Sequence, residues 1–349
     1  MPAIKTAILS FGMSGRVFHA PFIALNPGFE LAGIWERTKS ESLEFYPDIK
    51  IYRSLDEILN DESIELVIVN TPTNTHYEYS KKVLLAGKHA VVEKAFTTSI
   101  AEAIELEELA RSVNKKISVY QNRRWDSDFK TVRKIIEEGW LGNIVEAEIH
   151  YDRYRVALSA KLHKEIPGPG AGVLNDLGPH LVDQAICLFG MPLAVYADIR
   201  ITRPNSLVDD YFELLLNYSD KVVRLKASCL VREPFPSYII HGLKGSFHKS
   251  RTDVQETALL ANQKPNLANW GVEPIEESGY LHTEKDGNII REKVPTEIGN
   301  YGTYYALVEK AIRENKEMPV TAQEGIQVMK IIEAAFKSSE LKKQISLTQ

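Results

Sequence analysis

The sequence predicts an α/β protein in which a doubly wound parallel sheet is followed by an antiparallel sheet. Over the first 120 residues, short β-branched runs alternate with helical patterns, which is typical of parallel strands joined by crossover helices. Beyond residue 140, longer strands follow one another with little helix between them, which favours antiparallel pairing. A chain of 349 residues also exceeds what one hydrophobic core usually organises, so we expect two domains.

The elements of the first part have recognisable ends. A capping box of Ser99 and Glu102 begins a helix that reaches Val113. Gly87 can end a helix over Tyr77–Ala86 by adopting a left-handed conformation. Five β-branched runs predict the parallel strands: Thr6–Leu9, Leu31–Ile34, Leu66–Val69, Ala90–Val92 and Ile117–Tyr120.

The second part begins after an amphipathic helix predicted over Asp126–Glu138. Residues 262–300, rich in Asn, Pro, Glu and Gly, are expected to form a long loop, and helices over Tyr304–Asn315 and Glu324–Ser338 close the chain. Five runs predict the antiparallel strands: Ile144–Tyr154, Ala194–Thr202, Tyr211–Tyr218, Val222–Val231 and Tyr238–Gly242.

The composition argues against several functional classes. With 42 basic and 47 acidic residues the formal net charge is −5, which does not favour a nucleic-acid partner. No run approaches the roughly 20 apolar residues of a membrane span and no secretory signal is evident, so we expect a cytoplasmic protein. Cys187 and Cys229 lack the spacing of a zinc site and are expected to be reduced core residues.

The turn after the first predicted strand resembles a dinucleotide-binding loop. It reads Ser10-Phe-Gly-Met-Ser-Gly15 and fits the GxGxxG fingerprint, except that Ser10 replaces the first glycine. Gly12 would let the backbone approach a pyrophosphate, and Gly15 would allow close helix packing. Amide groups at the helix start, including those of Met13 and Ser14, would bind the anion. A tight turn without a ligand is the alternative interpretation.

The end of the next strand bears on the choice of cofactor. Glu36 lies 21 positions beyond Gly15, where an acidic residue usually binds the ribose hydroxyls. Arg37 could hold a 2′-phosphate or stack on adenine. Glu36 therefore argues for NAD and Arg37 for the use of both, so the expected cofactor is NAD or NADP.

Two later strand ends lie at the carboxyl edge of the predicted parallel sheet, where such sheets bind ligands. One strand ends in Glu93-Lys94, so Lys94 is expected to project into the crevice; a solvated lysine paired with Glu93 is the alternative. The other strand is followed by Asn70-Thr-Pro-Thr-Asn-Thr-His76, in which the candidate cofactor contacts are Thr71, Pro72, Asn74 and His76.

An acid and a base stand four positions apart in an otherwise apolar run. In a helix, Asp176 and His180 would lie on one face and could touch the same small molecule; a surface pair or an inert core histidine is the alternative. Pro179 is accommodated most easily if the helix begins near Asn175. A metal site that adds Asp183 is less favoured, because a facial triad normally contains a second histidine.

Together these motifs resemble the family of glucose-fructose oxidoreductases and inositol dehydrogenases. The resemblance covers nearly the whole chain and rests on Phe18-His-Ala-Pro21, Thr71-Pro72 with Asn74 and His76, Glu93-Lys94, Asn122-Arg-Arg-Trp-Asp126, and Asp176 with His180. Within the family, the chain looks most like the bacterial NADP-type scyllo-inositol dehydrogenase branch, through Tyr120–Asp126, Phe189–Pro192, Tyr304-Tyr305 and Pro319–Thr321.

The resemblance implies a particular domain arrangement. Residues 1–122 would form the dinucleotide-binding Rossmann domain, and residues 123–349 a substrate-binding and oligomerisation domain with an open, mostly antiparallel sheet. The last helix would pack back on the first domain. Because family members commonly pair through the outer face of that sheet, we expect a homodimer or homotetramer.

The resemblance also implies an activity: hydride transfer between a nicotinamide cofactor and a secondary alcohol of a sugar or cyclic polyol. His180 would take the hydroxyl proton, Lys94 would stabilise charge on the oxygen, and Asp176 would bind a substrate hydroxyl. Further site residues are expected at the cofactor (Glu93 and Asn122) and at the substrate (Arg123, Trp125, Tyr154 and Arg155).

Some features keep other interpretations open. The family usually has proline where this chain has Ala95, so the rigid φ that proline imposes after Lys94 is missing. NAD-dependent glycoside hydrolysis, which some relatives perform by transient oxidation, is an alternative activity. A non-catalytic, ligand-sensing role is a second alternative, because a fold does not fix a function.

Overall fold

The computed structural model describes residues 2–159, 165–266 and 268–347. The chain divides into two compact units, each assembled from three segments. The first unit contains the chain up to Trp125, Val254–Trp270 and Asn300–Ile326; the second contains Asp126–Asp253, Gly271–Gly299 and the chain from Gln327 onward. The chain thus leaves the first unit at Trp125 and returns to it twice. The single boundary after residue 122 stays a prediction.

The first unit is built on a parallel sheet. In the described residues its strand order is β3-β2-β1-β4-β5-β6, with every neighbouring pair parallel. β4 is fully buried along its length, as expected for a sheet covered on both faces. The strands are β1 (Ile4–Ile8), β2 (Phe29–Trp35), β3 (Lys50–Tyr52), β4 (Leu66–Val69), β5 (His89–Glu93) and β6 (Ile117–Tyr120). This order confirms the predicted Rossmann topology, whose ligands bind where the strand order reverses, at β1 and β4.

The described helices follow in chain order. They are α1 (Ala20–Leu25), α2 (Leu55–Asn60), α3 (His76–Leu85), α4 (Ile100–Ser112), α5 (Ser127–Glu137), α6 (Val173–Phe189), α7 (Val254–Leu260), α8 (Gly302–Arg313) and α9 (Ala322–Leu341). A π-helical turn, Gly15–His19, precedes α1. The predicted capping box of Ser99 and Glu102 is confirmed at α4, and Gly87 has the expected positive φ of 72° after α3.

The second unit is built on a mostly antiparallel sheet, as predicted. Its described order is β14-β13-β12-β11-β7-β10-β9-β8-β15, in which β7 and β10 pair in parallel and the other neighbours are antiparallel. One face packs on α5, α6 and the later part of α9. The strands are β7 (Ile144–His150), β8 (Ala194–Arg200), β9 (Tyr211–Asn217), β10 (Val222–Ser228), β11 (Tyr238–Gly242), β12 (Gly245–Lys249), β13 (Gly279–Lys285), β14 (Asn288–Val294) and β15 (Ile345–Ser346).

One expectation about local structure was wrong. Residues 262–300 are not one long loop, because β13 and β14 form a hairpin within them. Its turn residues, Asp286 and Gly287, both have positive φ, which matches a tight hairpin turn. Helix α6 begins at Val173, two positions before Asn175, so Pro179 lies in the second helical turn rather than in the first, where it would be accommodated most easily.

The described residues also lack two features. No helix among them is long and apolar enough to cross a bilayer. Within the same residues, no group of three or more His, Cys, Asp or Glu side chains is placed to hold a metal ion.

Candidate functional site

The loop between β1 and the first helix has the form of an anion-binding turn. Ser10 Oγ accepts a hydrogen bond from the Gly12 amide at 3.2 Å, so the serine in place of the first glycine stabilises the turn. A Cβ at Gly15 would overlap the Ser10 carbonyl oxygen, and the protein itself therefore requires glycine there. At Gly12, a Cβ would meet nothing nearer than Ser10 Oγ at 3.5 Å. The open space beside Gly12 fits a group that approaches the backbone closely.

Asn70, at the end of β4, connects that strand to the same loop. Its Nδ2 donates to the Ser10 carbonyl at 2.8 Å. Its Oδ1 is buried and accepts no hydrogen bond from the described residues. A buried amide oxygen normally has a partner, so this atom offers an acceptor at the place where the fold binds a cofactor.

The other residues after β4 differ in their accessibility. Thr71 is partly exposed, and Pro72 and Asn74 are exposed. His76 is buried, with its ring nitrogens 2.8 Å from the carbonyl oxygens of Thr71 and Ala95. Burial lowers the pKa of His76, and a neutral ring donates only one of the two hydrogen bonds. His76 thus connects the β4 loop to the segment after Lys94, and its contact with a cofactor stays a prediction.

Glu93 links the glycine-rich loop to Lys94. Its Oε1 accepts a hydrogen bond from Ser14 Oγ at 2.9 Å, and its Oε2 accepts one from the Lys94 amide at 3.1 Å. Burial alone would raise the pKa of Glu93, but the hydrogen bond and charge of His19 outweigh it, together with Lys94 and Ser14, and the pKa is lowered. Glu93 is therefore an ionised acceptor shared by the loop and the lysine.

A buried histidine completes this network. His19 is fully buried, with Nε2 3.0 Å from Glu93 Oε1 and Nδ1 2.5 Å from Tyr305 Oη. Because a carboxylate can only accept, His19 Nε2 carries the hydrogen in this contact. Sequence reasoning gave no role to His19 or Tyr305, although both belong to runs that carried the family resemblance, Phe18–Pro21 and Tyr304-Tyr305.

Lys94 lies at the end of β5 and is half-buried. The peptide bond between Lys94 and Ala95 is cis. The Glu93 carboxylate holds the backbone on the strand side, and His76 contacts the Ala95 carbonyl on the other. The position that lacks the family's usual proline is thus fixed by hydrogen bonds from both sides.

Glu36 follows β2 and faces the protein rather than the solvent. Its Oε1 accepts a hydrogen bond from the Glu41 amide at 2.9 Å, and its Oε2 accepts from the amide and hydroxyl of Ser42. Arg53 donates to the carbonyls of Glu36 and Lys39 and so holds this loop. Arg37 is exposed. A carboxylate has about four acceptor positions, so one remains for the predicted contact with a ribose hydroxyl.

The predicted acid and base lie on α6 in the second unit. Asp176 is in the first turn and partly exposed, whereas His180 is 7% exposed. Their spacing places them one helical turn apart on the same face. Pro179 cannot donate a hydrogen bond to the Asn175 carbonyl, four residues earlier, yet the helix continues through it.

The remaining candidates in the first unit are largely engaged within the protein. Asn122 and Arg123 are each 6% exposed, and Arg123 forms an ion pair with Glu256 at 2.6 Å. The Trp125 ring packs edge-on against Tyr304, with centroids 5.5 Å apart. These contacts leave the roles predicted for Asn122, Arg123 and Trp125 untested.

The two remaining candidates in the second unit, Tyr154 and Arg155, are exposed. The Arg232 guanidinium lies over the Tyr154 ring, with its central carbon 3.9 Å from the ring centre. The Arg155 amide donates to the Cys229 carbonyl at 2.7 Å, and its side chain reaches solvent. Both side chains keep surface that a polar ligand could contact, and their substrate role stays a prediction.

Comparison with known proteins agrees with this geometry. The model of an oxidoreductase family's NAD-binding Rossmann fold matches residues 4–121, and the model of the same family's C-terminal alpha/beta domain matches residues 133–347. The chain is 41% identical to the scyllo-inositol 2-dehydrogenase (NADP(+)) IolW of Bacillus subtilis, over 99% of this chain and 96% of that protein.

Two further similar proteins also match along almost the whole length of the chain. The oxidoreductase YdgJ of Escherichia coli, which is uncharacterised, is 37% identical over 97% of this chain and 96% of its own length. The crystal structure of an oxidoreductase from Bacillus cereus matches with a TM-score of 0.93 and 32% identity, covering 99% of both chains. The chain therefore belongs to the oxidoreductase family that combines an NAD-binding Rossmann fold with a C-terminal alpha/beta domain, the glucose-fructose oxidoreductase and inositol dehydrogenase family.

Proposed function

We propose that this oxidoreductase uses NADP to oxidise a secondary alcohol of a sugar or cyclic polyol of the inositol class. The observation that carries the proposal is the full-length likeness to an NADP-dependent scyllo-inositol 2-dehydrogenase. An acid and a base one turn apart on α6 agree with it, because alcohol oxidation needs both a proton acceptor and a group that holds the substrate.

The residues around the β1 turn fit a nicotinamide dinucleotide. Gly12 leaves space for a pyrophosphate, and the amides of Met13 and Ser14 stand at a helix start, where anions bind. Asn70 Oδ1 offers a further acceptor. When bound, the nicotinamide supplies the hydride acceptor that the side chains of the protein lack.

The preference for NADP rests on the two residues after β2. The Glu36 carboxylate is hydrogen-bonded to the turn at residues 41–42, so its charge is partly compensated within the protein. Arg37 is exposed beside it and can pair with a 2′-phosphate through a bidentate hydrogen bond. The name of the Bacillus subtilis relative also specifies NADP.

The proposed catalytic residues have distinct roles. His180 removes the hydroxyl proton, since an imidazole ring can both accept and return a proton. Lys94 stabilises the negative charge that develops on the oxygen. Asp176 binds a neighbouring hydroxyl and biases the charge state of His180. Glu93 is proposed to position Lys94 through its backbone amide.

We further propose additional substrate contacts and a homo-oligomer. The exposed side chains of Tyr154 and Arg155 would hold further hydroxyls of the substrate, as would Arg123 and Trp125. A homodimer or homotetramer would form through the C-terminal sheet, and light scattering during size-exclusion chromatography would measure its mass.

A screen of polyols and sugars with NAD and NADP tests the proposed function. The expected result is formation of reduced nicotinamide with a cyclic polyol or sugar, at higher kcat/KM with NADP than with NAD. Cleavage of glycosides without accumulation of reduced cofactor would contradict the proposal and would identify a glycoside hydrolase. Binding of a sugar without any turnover would instead indicate a ligand sensor.

A further inference from the structure

Helix α6 begins without a capping side chain of its own. The first four amide groups of a helix have no partner within the helix, and a Ser, Thr, Asn or Asp at the preceding position usually accepts one of them. In α6 that position is Gly172, which has no side chain. The amides of the first turn must therefore be satisfied from elsewhere in the chain.

Asp209 supplies the missing acceptors from the segment before β9. The Val173 amide donates to the Asp209 carbonyl oxygen at 2.8 Å, and the Leu174 amide donates to Asp209 Oδ2 at 2.7 Å. One residue, 35 positions later in the chain, thus accepts from two amides of the first turn. When ionised, the carboxylate lies at the positive end of the helix dipole, which offsets part of the cost of burying its charge.

The backbone at Gly172 is shaped to admit this carboxylate. Gly172 has φ of +89°, a backbone conformation that residues other than glycine rarely adopt. A Cβ there would also overlap Asp209 Oδ1. Glycine is therefore needed at this position for two reasons. It provides the backbone conformation, and it leaves the space that the carboxylate of Asp209 occupies.

Asp209 is itself held by a rigid neighbour. The carboxylate of Asp210 accepts from the Thr202 amide at 2.7 Å and from the amide and Nε of Arg203 at 2.8 and 3.0 Å. Arg203 also pairs with Glu165 at 2.9 Å. The side chains of Arg203 and Asp210 are 5% and 1% exposed. This buried ion-pair network fixes the backbone from which Asp209 reaches α6.

We propose that Asp209 is a positioning residue for substrate oxidation: by capping α6 from outside the helix, it sets the direction in which Asp176 and His180 face the substrate. The inference rests on the proposed function, in which those two residues act on the alcohol. The cap matters here because Pro179 already removes one hydrogen bond from the second turn of α6. The beginning of the helix therefore depends on Asp209 more than that of an uninterrupted helix would.

Two substitutions separate the cap from the charge. Asp209→Ala removes the side-chain acceptor of the Leu174 amide but keeps the backbone carbonyl that accepts from the Val173 amide. We therefore expect amide hydrogen exchange to accelerate at Leu174 and to change less at Val173. Since small displacements of catalytic groups can cost up to about 100-fold in rate, kcat for the polyol should fall by about 10- to 100-fold, with NADPH affinity unchanged. Asp209→Asn keeps a carbonyl acceptor on a side chain of the same shape and should restore most of the kcat. If the alanine variant does not fold, Asp209→Ser provides a polar side chain too short to reach Leu174.

A cap in the other unit provides the matched control. Ser54 Oγ accepts from the Glu57 amide at 3.2 Å and caps α2. Ser54→Ala should lower the unfolding temperature by an amount similar to Asp209→Ala, because each removes one helix cap, and should leave kcat unchanged. A general loss of stability would lower kcat in both variants, whereas positioning lowers it only in the Asp209 variants.

The possible failures can be distinguished. Unchanged exchange at Leu174 in Asp209→Ala would show that the side chain of Asp209 does not cap α6. Accelerated exchange with wild-type kcat would show a cap that positions nothing, and either result overturns the inference. Wild-type kcat in Asp176→Ala and His180→Ala would instead contradict the proposed function, while the exchange result would still test the cap.

Discussion

Replacement of His19 by alanine tests how the dinucleotide loop and Lys94 are held together. The histidine is fully buried and contacts Glu93 Oε1 at 3.0 Å and Tyr305 Oη at 2.5 Å. Alanine removes both contacts, and the donors that remain to Glu93 include Ser14 Oγ and the Lys94 amide. The variant should therefore be less stable and should bind NADPH more weakly.

The magnitude follows from the kind of contact that is lost. A hydrogen bond to a charged group contributes about 1.5–3 kcal/mol, and one between neutral groups about 1 kcal/mol. Removing one of each from a buried site should lower the free energy of unfolding by about 2.5–4 kcal/mol near neutral pH. Tyr305→Phe is the matched control, because it removes only the neutral contact and should cost about 1 kcal/mol.

The pH dependence of this cost has a definite sign. The pKa of Glu93 is lowered in the folded protein, so its ionised form adds stability above the unfolded pKa of about 4.3, and that stability is lost as the pH falls through the folded value. Without His19, the pKa of Glu93 should be higher than in the wild type, because burial raises it and the histidine no longer lowers it. The cost of His19→Ala should then shrink as the pH falls and the carboxyl becomes protonated. Urea unfolding of the apo protein near pH 7 and pH 5 measures this difference. An equal cost at both pH values, or no cost at all, would refute the reasoning.

Three further predictions concern the cofactor site and α6. Arg37→Ala should raise the KM for NADP by about tenfold or more, which corresponds to the free energy of a charged hydrogen bond. The KM for NAD should not change. Unaltered NADP kinetics would exclude a contact between Arg37 and the 2′-phosphate. Gly12→Ala should weaken NADPH binding and leave the stability unchanged, whereas Gly15→Ala should lower both NADPH affinity and stability, because of the two positions only Gly15 has protein atoms where a Cβ would lie. NADPH affinity and thermal unfolding measure the two effects. Wild-type affinity in Gly12→Ala would show that the pyrophosphate binds elsewhere. Burial raises the pKa of Asp209 to about 6, with a contribution from the charge of Asp210. Ionisation of Asp209 should therefore lower the stability of the wild type as the pH rises from about 4 to 6. Asp209→Asn should lack this loss in urea unfolding, and parallel pH profiles of the two proteins would contradict the prediction.

The fold could be predicted where the sequence pattern reflects burial. β4 and β5 are fully or nearly buried and read as continuous apolar runs, and alternation along β9 marks a sheet with one covered face. The hairpin of β13 and β14 was missed because β14 is largely exposed and its composition resembles a loop. The dipeptide Asp286-Gly287 was the available signal, since it is typical of a two-residue hairpin turn.

The candidate site could be predicted only in part. Spacing along one chain segment indicates the pair on α6 and the glycine-rich loop, because both are local patterns. The contacts of His19 with Glu93 and Tyr305 join residues separated by 74 and 286 positions, and no local pattern specifies them. The orientation of Glu36 likewise depends on the turn that follows it, so its identity alone did not show where its carboxylate points.

Transfer of deuterium from substrate to cofactor tests the central claim most directly. The enzyme would be incubated with NADP and a cyclic polyol deuterated at its carbinol carbons, and the reduced cofactor analysed by mass spectrometry. The account predicts one deuterium on the reduced nicotinamide and a rate that falls by about 100-fold or more in His180→Ala, the typical contribution of a general base. Absence of deuterium from the cofactor, or an undiminished rate in His180→Ala, would contradict it.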